Sequence, residues 1–405
     1  MSHLRPFKAL RPPKSLAPSV AAPPYDVVNS QEARAQSHGN PDSFFRVSRP
    51  EVDLPPQTDE HADAVYQKGR ENLQEFVNRK VLVADAAAGF YLYRQRMGSH
   101  EQTGIVATVS VAEYEQGLIK KHELTRKDKE DDRAKHVDVL SANDEPVFLA
   151  YRGMAAIDEV VAQVSAGPAE YDFTSADGIG HLAWTMNAEQ TRVLQALFEQ
   201  VPSLYIADGH HRSAAAARVS EKRKGEKSGH DHFLAVIFPQ EQLRILDYNR
   251  VVRDLNGMSL ADFLERVGQS FTVETVQEGK PGERHHFGMY LGGRWYRLIA
   301  KPGTWPETPV GALDVSILQQ NLLGPVLGIK DPRTDKRIDF VGGIRGLKVL
   351  ERRVDSREAA VAFAMFPTSM DELCTLADAG EIMPPKSTWF EPKLRSGLFV
   401  HRFEE

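Results

Sequence analysis

The sequence predicts an α+β protein in which mixed sheets are flanked by helices. The segment 145–151 has strand character, and the apolar run 233–238 is typical of a buried strand. The apolar residues of 61–79 are spaced for one face of a helix. These two patterns alternate along the chain. With 405 residues, 41% of them hydrophobic, the chain is long enough to bury a large core and to divide into two or three lobes.

Local signals predict the other elements. The stretch from Ser259 to Asp262 resembles a capping box and predicts the start of a helix, which we expect Gly268 to close. Glycine-rich or polar turns between apolar runs indicate hairpins. The segments predicted in this way are the paired strands 90–93 and 104–109, the helix 259–267, the paired strands 287–291 and 295–299, and the helix 314–323.

Composition excludes several classes of protein. The formal net charge of −6 gives no general footprint for nucleic acid, so we expect no nucleic-acid partner. Cys374 is the sole cysteine, which rules out an intrachain disulfide and a cysteine-based zinc site and fits a buried thiol in a cytoplasmic protein. No apolar run is long enough to span a bilayer, and the first residues lack a signal-peptide core.

The stretch 204–218 concentrates the polar chemistry of the chain. It is predicted to be a short apolar strand, a turn and an alanine-rich helix. The first N–H groups of a helix lack internal partners and lie at the positive end of its dipole, so they favour an anion. The turn and first helical residues that we assign to this site are Asp208, Gly209, His210, His211, Arg212 and Ser213.

Each residue type in this turn suits a phosphate site. Gly209 allows a close approach of the backbone, and Arg212 offers a planar fork of donors to phosphate or carboxylate oxygens. Asp208 is suited to hold Mg²⁺, accept a proton or orient an imidazole. The alternative is that Asp208 simply caps the helix. Neither the Gly-x-Gly-x-x-Gly nor the Gly-x-x-x-x-Gly-Lys-Ser/Thr phosphate loop occurs in the chain.

Two earlier segments supply further acids. Asp26 follows Pro23 and Pro24 on a stiffened loop, with capping of the helix that begins near Ser30 as the alternative. Glu123 follows His122 at the start of a highly charged stretch. Because no second histidine stands at position 126, the zinc face of a metalloprotease is absent, and we interpret the run 127–132 as a solvated face.

The C-terminal segment 383–398 is rich in proline and in hydrogen-bond donors. If its prolines hold the loop inward, four of its side chains would bind an anion. A proline-shaped turn followed by a terminal strand is the alternative. The four residues are Lys386, Ser387, Thr388 and Lys393.

These motifs together resemble a bacterial and archaeal family catalogued as domain of unknown function 1015 (DUF1015). The ordered set is Pro-Pro-Tyr-Asp-Val, His-Glu-x-Thr with a downstream Asp-Arg, Tyr-Ile-Ala-Asp-Gly-His-His-Arg, and Met-Pro-x-Lys-Ser-Thr-x-Phe-x-Pro-Lys. The Asp-Gly-His-His-Arg turn also resembles that of the ParB/sulfiredoxin superfamily. That resemblance implies a ParB/sulfiredoxin-like core with phosphates bound at the start of the following helix.

We therefore expect one family unit over 1–405. Within it we expect a core with the phosphate site over 1–254, an α+β lobe over 255–350 and a C-terminal segment over 351–405 that returns to the core.

The leading hypothesis is a nucleotide-dependent phosphotransferase acting on a small hydroxyl-bearing metabolite, with a free-serine kinase as its most concrete form. Its cofactors would be ATP or ADP with Mg²⁺ at Asp208. The alternatives are a nucleotide-responsive ParB-like binding module and a metal-dependent hydrolase. The sequence does not indicate the oligomeric state. The catalytic candidates are Asp208, Glu123, His210 and Asp26, and the binding candidates are Gly209, His211, Arg212, Ser213, Lys386, Ser387, Thr388 and Lys393.

Overall fold

The computed structural model describes residues 2–226 and 229–403. Over these residues the protein is a mixed α+β structure with several sheets, which confirms the predicted class. Its strands are β1 (Leu4–Arg5), β2 (Leu10–Arg11), β3 (Val83–Ala84), β4 (Tyr91–Met97), β5 (His100–Ser110), β6 (Ile119–Lys120), β7 (Ala142–Asn143), β8 (Val147–Tyr151), β9 (Tyr171–Thr174), β10 (Gly180–Thr185), β11 (Leu204–Asp208), β12 (His232–Pro239), β13 (Ile245–Leu246), β14 (Tyr248–Val252), β15 (Phe271–Val276), β16 (His286–Leu291), β17 (Arg294–Ala300), β18 (Ile338–Gly342), β19 (Val361–Ala364), β20 (Trp389–Phe390) and β21 (His401–Arg402).

The helices lie between and after these strands. They are α1 (Ala17–Val20), α2 (Ser30–Ser37), α3 (Phe45–Ser48), α4 (Asp63–Asn78), α5 (Val111–Glu115), α6 (Lys127–Leu140), α7 (Ala155–Ser165), α8 (Ala188–Phe198), α9 (His210–Lys222), α10 (Leu260–Ser270), α11 (Asp314–Leu318), α12 (Leu347–Asp355) and α13 (Met370–Asp378). In the described part of the chain, no helix is both long and apolar enough to cross a membrane.

The chain forms two compact units. Within the described residues, the first unit comprises 2–121, 125–243 and 392–403, and the second comprises 122–124 and 244–391. The chain therefore leaves the first unit briefly after residue 121 and returns to it for its last segment.

The first unit is built on a nine-stranded mixed sheet. Its strand order is β6-β11-β8-β12-β5-β4-β10-β9, and β1 pairs with β5. The β8–β12 and β6–β11 pairs are parallel, whereas the others are antiparallel. Strands β8, β11 and β12 are buried along nearly their whole length, so their side chains are enclosed on both faces of the sheet, and this explains their continuous apolar runs.

Two predictions for the first unit are confirmed in detail. The periodic segment 61–79 forms α4, which buries Val65, Leu73 and Phe76 on one face. The predicted strands 90–93 and 104–109 belong to the β4–β5 hairpin, where Met97 pairs with His100 across a two-residue turn. Gly98 in that turn has a φ of +60°, a conformation that glycine adopts without strain.

The second unit is built on a six-stranded antiparallel sheet. Its order is β15-β17-β16-β19-β14-β18. The predicted hairpin forms β16 and β17, and the Ser259 side chain caps α10 by accepting from the Asp262 N–H group. The helix continues to Ser270, so the prediction that Gly268 closes it was wrong. The predicted helix 314–323 forms α11 and continues as a π-helical turn, Gln319–Leu323. Cys374 is buried on α13, as expected.

Candidate functional site

The central turn joins β11 to α9 in the first unit. A register shift between Ile206 and Asp208 opposite β8 ends the regular pairing and places Asp208 at the strand terminus. Gly209 is the N-cap of α9, with a φ of +94° and no side-chain cap. The positive φ favours glycine, and a Cβ atom there would also press on Nε of Arg212 at 3.1 Å. Asp208 is therefore not the capping residue.

Asp208 is held by the backbone and by a lysine from the end of the chain. Its Oδ1 accepts the Gly209 N–H group at 2.9 Å, and its Oδ2 lies 2.8 Å from Nζ of Lys393. Burial alone raises the pKa of Asp208, but the Lys393 and Arg212 cations outweigh it and hold that pKa well below the usual value of a carboxyl. Asp208 is consequently ionised at neutral pH.

Arg212 lies between two carboxylates. Its Nη2 is 4.0 Å from Oδ2 of Asp26 and 4.0 Å from Oδ2 of Asp208, and its Nη1 donates to the Pro146 carbonyl oxygen. Only 8% of the side chain is exposed. Burial lowers the pKa of Arg212, whereas Asp26 and Asp208 raise it above its ordinary value by a larger amount. Arg212 therefore fixes the spacing of the two acids from a buried position.

Asp26 reaches this point from the proline-rich loop. The Tyr25 N–H group donates to Oε1 of Glu145 at 2.9 Å, and the Tyr25 ring lies 4.0 Å from the Arg133 guanidinium. The Asp26 side chain is 41% exposed. Asn29 caps α2 through a capping box with Glu32, so Asp26 is not the cap of that helix.

The C-terminal segment brings Lys393 to Asp208. The Lys393 carbonyl oxygen accepts Nε2 of Gln95 at 2.8 Å, and Gln95 is fully buried. Two residues on, Arg395 donates to Ser175 at 3.0 Å, and Ser396 donates through Oγ to Oε1 of Glu145 at 2.8 Å. We call Asp26, Asp208, Arg212 and Lys393 the charged cluster. Three distant segments of the sequence build it.

The other predicted residues of the central turn, His210, His211 and Ser213, lie in the first turn of α9. His210 begins α9, is buried, and lies close enough to contribute to the low pKa of Asp208. Nε2 of His211 accepts the Arg126 N–H group at 3.1 Å, which ties the start of α6 to the start of α9. Ser213 donates to the Gly209 carbonyl oxygen at 3.2 Å, so its hydroxyl closes the first helical turn.

The remaining predicted site residues belong to the second unit. They are Glu123, Lys386, Ser387 and Thr388. Within that unit, Thr388 Oγ1 lies 3.4 Å from Nε2 of His122, so the His-Glu and Lys-Ser-Thr motifs meet. Ser387 is buried and donates to the Pro384 carbonyl oxygen at 2.6 Å, an interaction that closes the proline turn. Their predicted roles stay predictions.

The sequence interpretation missed a buried polar network in the first unit. The run 127–132 was expected to be solvated, but Asp132 and the adjacent Arg133 are buried on α6 and joined at 2.8 Å. The inward face of this helix carries Asp132, Arg133, His136, Val137 and Leu140. The spacing of these residues by three and four positions is the sequence pattern that could have indicated a buried face of α6. The high overall charge of the segment made this pattern hard to recognise, because charged residues dominate the outward face.

Two carboxyls before β8 complete this network. Asp144 lies 2.9 Å from Nε2 of His136. Burial, reinforced by the negative charge of Asp144, raises the pKa of Glu145 to about 7, although Arg212 and Arg133 oppose the shift. Arg133, His136, Asp144, Glu145 and Arg212 line one small cavity of about 10 Å³. Glu145 therefore lines the same cavity as Arg212 of the charged cluster.

Comparison with known proteins gives the family. The chain belongs to the family of proteins of unknown function DUF1015, whose profile matches residues 4–316. This confirms the family resemblance inferred from the motifs, while the ParB/sulfiredoxin-like turn stays a prediction. No curated protein matches the chain.

Several solved structures are similar at low identity. One is a free serine kinase variant in complex with AMP, at 12% identity and a TM-score of 0.38, covering 74% of this chain and 91% of that chain. The same kinase variant in complex with ADP has 13% identity and a TM-score of 0.37, and the match covers 74% of this chain and 92% of that chain. A conserved hypothetical protein from Pyrococcus furiosus has 14% identity and a TM-score of 0.35, and the match covers 73% of this chain and 95% of that chain. At these values the similarity does not support the assignment of a function.

Proposed function

We propose that this member of the DUF1015 family is a nucleotide-dependent phosphotransferase that acts on a small hydroxyl-bearing metabolite, with ATP or ADP as its nucleotide. The observation that carries the proposal is the charged cluster at the start of α9. Two carboxylates and two cations meet there, and each lies within 4.0 Å of a group of opposite charge. They lie at the N-terminus of the helix, which favours anions. Such a set can bind phosphates and hold a proton acceptor beside them.

Lys393 is the phosphate-binding side chain in this proposal. Its ammonium group rests on Asp208 at 2.8 Å, and both side chains are partly open to solvent, at 16% and 26%. A bound phosphate would compete with Asp208 for this cation, and the backbone N–H groups at the start of α9 would add donors. Phosphate binding would therefore release the Asp208 carboxylate from its lysine.

The two acids suit different roles. Asp208 has a strongly lowered pKa, so it is a poor proton acceptor but a stable anionic ligand. Its oxygens have lone pairs beyond the two bonds described, and carboxylate oxygens are ligands that Mg²⁺ accepts. Mg²⁺ at Asp208 would neutralise phosphate charge. Asp26 is the more exposed acid and pairs with Arg212, so we assign it the hydroxyl proton.

Arg212 has a supporting role. Its guanidinium is buried and held by the Pro146 carbonyl oxygen, so it keeps the two acids at a fixed separation. Free serine is the first acceptor to test, because a free-serine kinase is the most concrete form of the hypothesis drawn from the sequence. We keep Glu123 and the Lys386–Thr388 motif as predicted contributors from the second unit.

The test is a thermal-shift series with ATP, ADP, CTP, GTP and pyrophosphate, each with and without Mg²⁺. A nucleotide that stabilises the protein would then be offered with free serine and other hydroxyl-bearing metabolites, and phosphorylated product would be measured. We expect Lys393→Ala to weaken binding by about tenfold or more, since a charge-assisted contact of roughly 1.5–3 kcal/mol is lost.

Lys224→Ala is the matched control. Lys224 lies just past the end of α9, is 77% exposed and pairs with Glu221. We therefore expect the removal of its side chain to leave nucleotide binding unchanged. Equal loss in both variants would point to nonspecific electrostatics. Absence of a shift with every nucleotide would reject the proposed function.

A further inference from the structure

Glu145 joins the segments that build the charged cluster. One oxygen atom, Oε1, accepts both the Tyr25 N–H group at 2.9 Å and the Ser396 hydroxyl at 2.8 Å. Tyr25 precedes Asp26 in the chain, and Ser396 follows Lys393 by three residues. A single buried carboxyl thus links the loop that carries one acid to the segment that carries the lysine.

The neighbours of Glu145 extend this link to the other two members. The next residue, Pro146, accepts Nη1 of Arg212 through its carbonyl oxygen. Arg212 in turn lies 4.0 Å from both Asp26 and Asp208. Residues 145 and 146 therefore contact all the segments from which the charged cluster is assembled.

The surroundings of Glu145 hold it in place. The side chain is 5% exposed. Arg133 and Arg212 supply positive charge, whereas Asp144 and Asp26 oppose its ionisation. Asp144 is itself fixed by His136 from α6 at 2.9 Å. The carboxyl has little freedom to leave its two donors, because packed side chains surround it.

We propose that Glu145 is a positioning residue that sets the separation of Asp26 and Lys393 around Arg212. The effect of this separation on nucleotide binding rests on the proposed function. The positioning of Asp26 and Lys393 by Glu145 can be tested in the protein without a ligand. The carboxyl acts through its hydrogen bonds, and it does not contact the phosphates or the acceptor.

The test compares Glu145→Ala with Glu145→Gln. Alanine removes the acceptor oxygen, whereas glutamine keeps one in the same place. Hydrogen–deuterium exchange of the ligand-free protein would be measured over peptides 20–28 and 392–398. We expect Glu145→Ala to exchange about tenfold or more faster in both peptides, because lost hydrogen bonds permit local opening. Glu145→Gln should restore the protection to within about threefold of the original chain.

Glu113→Ala is the matched control. Glu113 is another buried carboxyl that accepts a distant backbone N–H group, that of His3, at 3.0 Å. We expect its removal to increase exchange near the N-terminus and to leave peptides 20–28 and 392–398 unchanged. Equal exchange of those two peptides in Glu145→Ala and the original chain would overturn the proposal.

Nucleotide binding supplies a second readout. MgADP affinity, measured by calorimetry, should fall in Glu145→Ala and recover in Glu145→Gln. If the original chain binds no nucleotide, the proposed function fails, while hydrogen exchange still decides the positioning role. If Glu145→Ala does not fold, Ser396→Ala removes one donor and should raise exchange at 392–398 more than at 20–28. Unchanged exchange at 392–398 in that variant would contradict the proposal.

Discussion

Gly209 is the residue on which the geometry of the central turn depends most directly. We expect Gly209→Ala to lower the free energy of unfolding by about 2–3 kcal/mol. A positive φ costs an alanine about 1–2 kcal/mol, and the new Cβ would press on the Arg212 guanidinium at 3.1 Å. Chemical denaturation with urea measures the change.

Gly268→Ala is the control for this substitution. Gly268 lies inside α10 without a positive φ, and a methyl group added there would meet no atom within 4 Å. Alanine there should leave stability unchanged or raise it by about 0.5–1 kcal/mol. A loss at Gly209 no larger than at Gly268 would contradict the account of the turn.

Glu145 gives stability a pH dependence. Its pKa rises from the ordinary 4.5 to about 7 in the folded protein, so the folded state holds this proton more tightly than the unfolded state. The contribution to stability is present below the unfolded pKa and is lost as pH rises through about 7. The facing charged groups are Asp144 and Asp26, which favour the neutral form, and Arg212 and Arg133, which oppose it.

Glu145→Gln isolates this effect because glutamine does not ionise. We expect the free energy of unfolding of the original chain to fall between about pH 5 and 8 by more than that of the variant, with a difference on the order of 3 kcal/mol for a shift of this size. Urea denaturation at several pH values measures both curves. Parallel curves would show that Glu145 titrates in its ordinary range.

The sequence singled out several residues of the central turn and the charged cluster but not their partners. Asp208, Gly209 and Lys393 were identified because acid, glycine and lysine are conspicuous beside a strand, a helix start and a proline turn. Arg212 was expected to bind phosphate, yet its direction is set by Pro146, which lies 66 residues away in the chain. Glu145 gave no local signal, because its partners are 120 and 251 residues distant.

At the scale of elements, the pairing of α6 with α9 holds the C-terminal end of α9. Asp138 on α6 lies 2.7 Å from Nε of Arg223, just past α9, and also contacts Lys222. We expect Asp138→Asn to lower the free energy of unfolding by about 1 kcal/mol, since a partly buried, hydrogen-bonded ion pair is weakened. Asp128→Asn, at an exposed pair with Arg126, should have no measurable effect in the same urea denaturation.

Amphipathic elements were predictable, and charge-rich ones were not. The helix α4 and the β4–β5 hairpin follow from apolar spacing alone. In α6 the buried face is itself polar: Asp132 pairs with the adjacent Arg133, and His136 contacts Asp144. Hydrophobic periodicity does not reveal such a face, because its burial depends on partners elsewhere in the fold.

At the scale of the whole molecule, strand order was beyond the reach of local patterns. β8 lies between β11 and β12, and β5 pairs with β12 and β1 as well as with its hairpin partner β4, so many neighbours in the sheet are far apart in sequence. Apolar runs at these strands predicted burial but not pairing. The return of 392–403 to the first unit likewise depends on long-range contacts such as those of Lys393 and Ser396.

This long-range assembly determines where a ligand should be detected. We expect MgADP to slow hydrogen–deuterium exchange in peptides 20–28, 204–218 and 392–398, because these three segments carry the charged cluster. Protection of peptides containing Glu123 or Lys386–Thr388 in addition would assign those predicted residues to the same ligand. A chain treated with MgCl₂ alone is the control. Protection confined to the second unit would place the nucleotide away from Asp208 and contradict the proposed function, because the cluster would then have no part in phosphate binding.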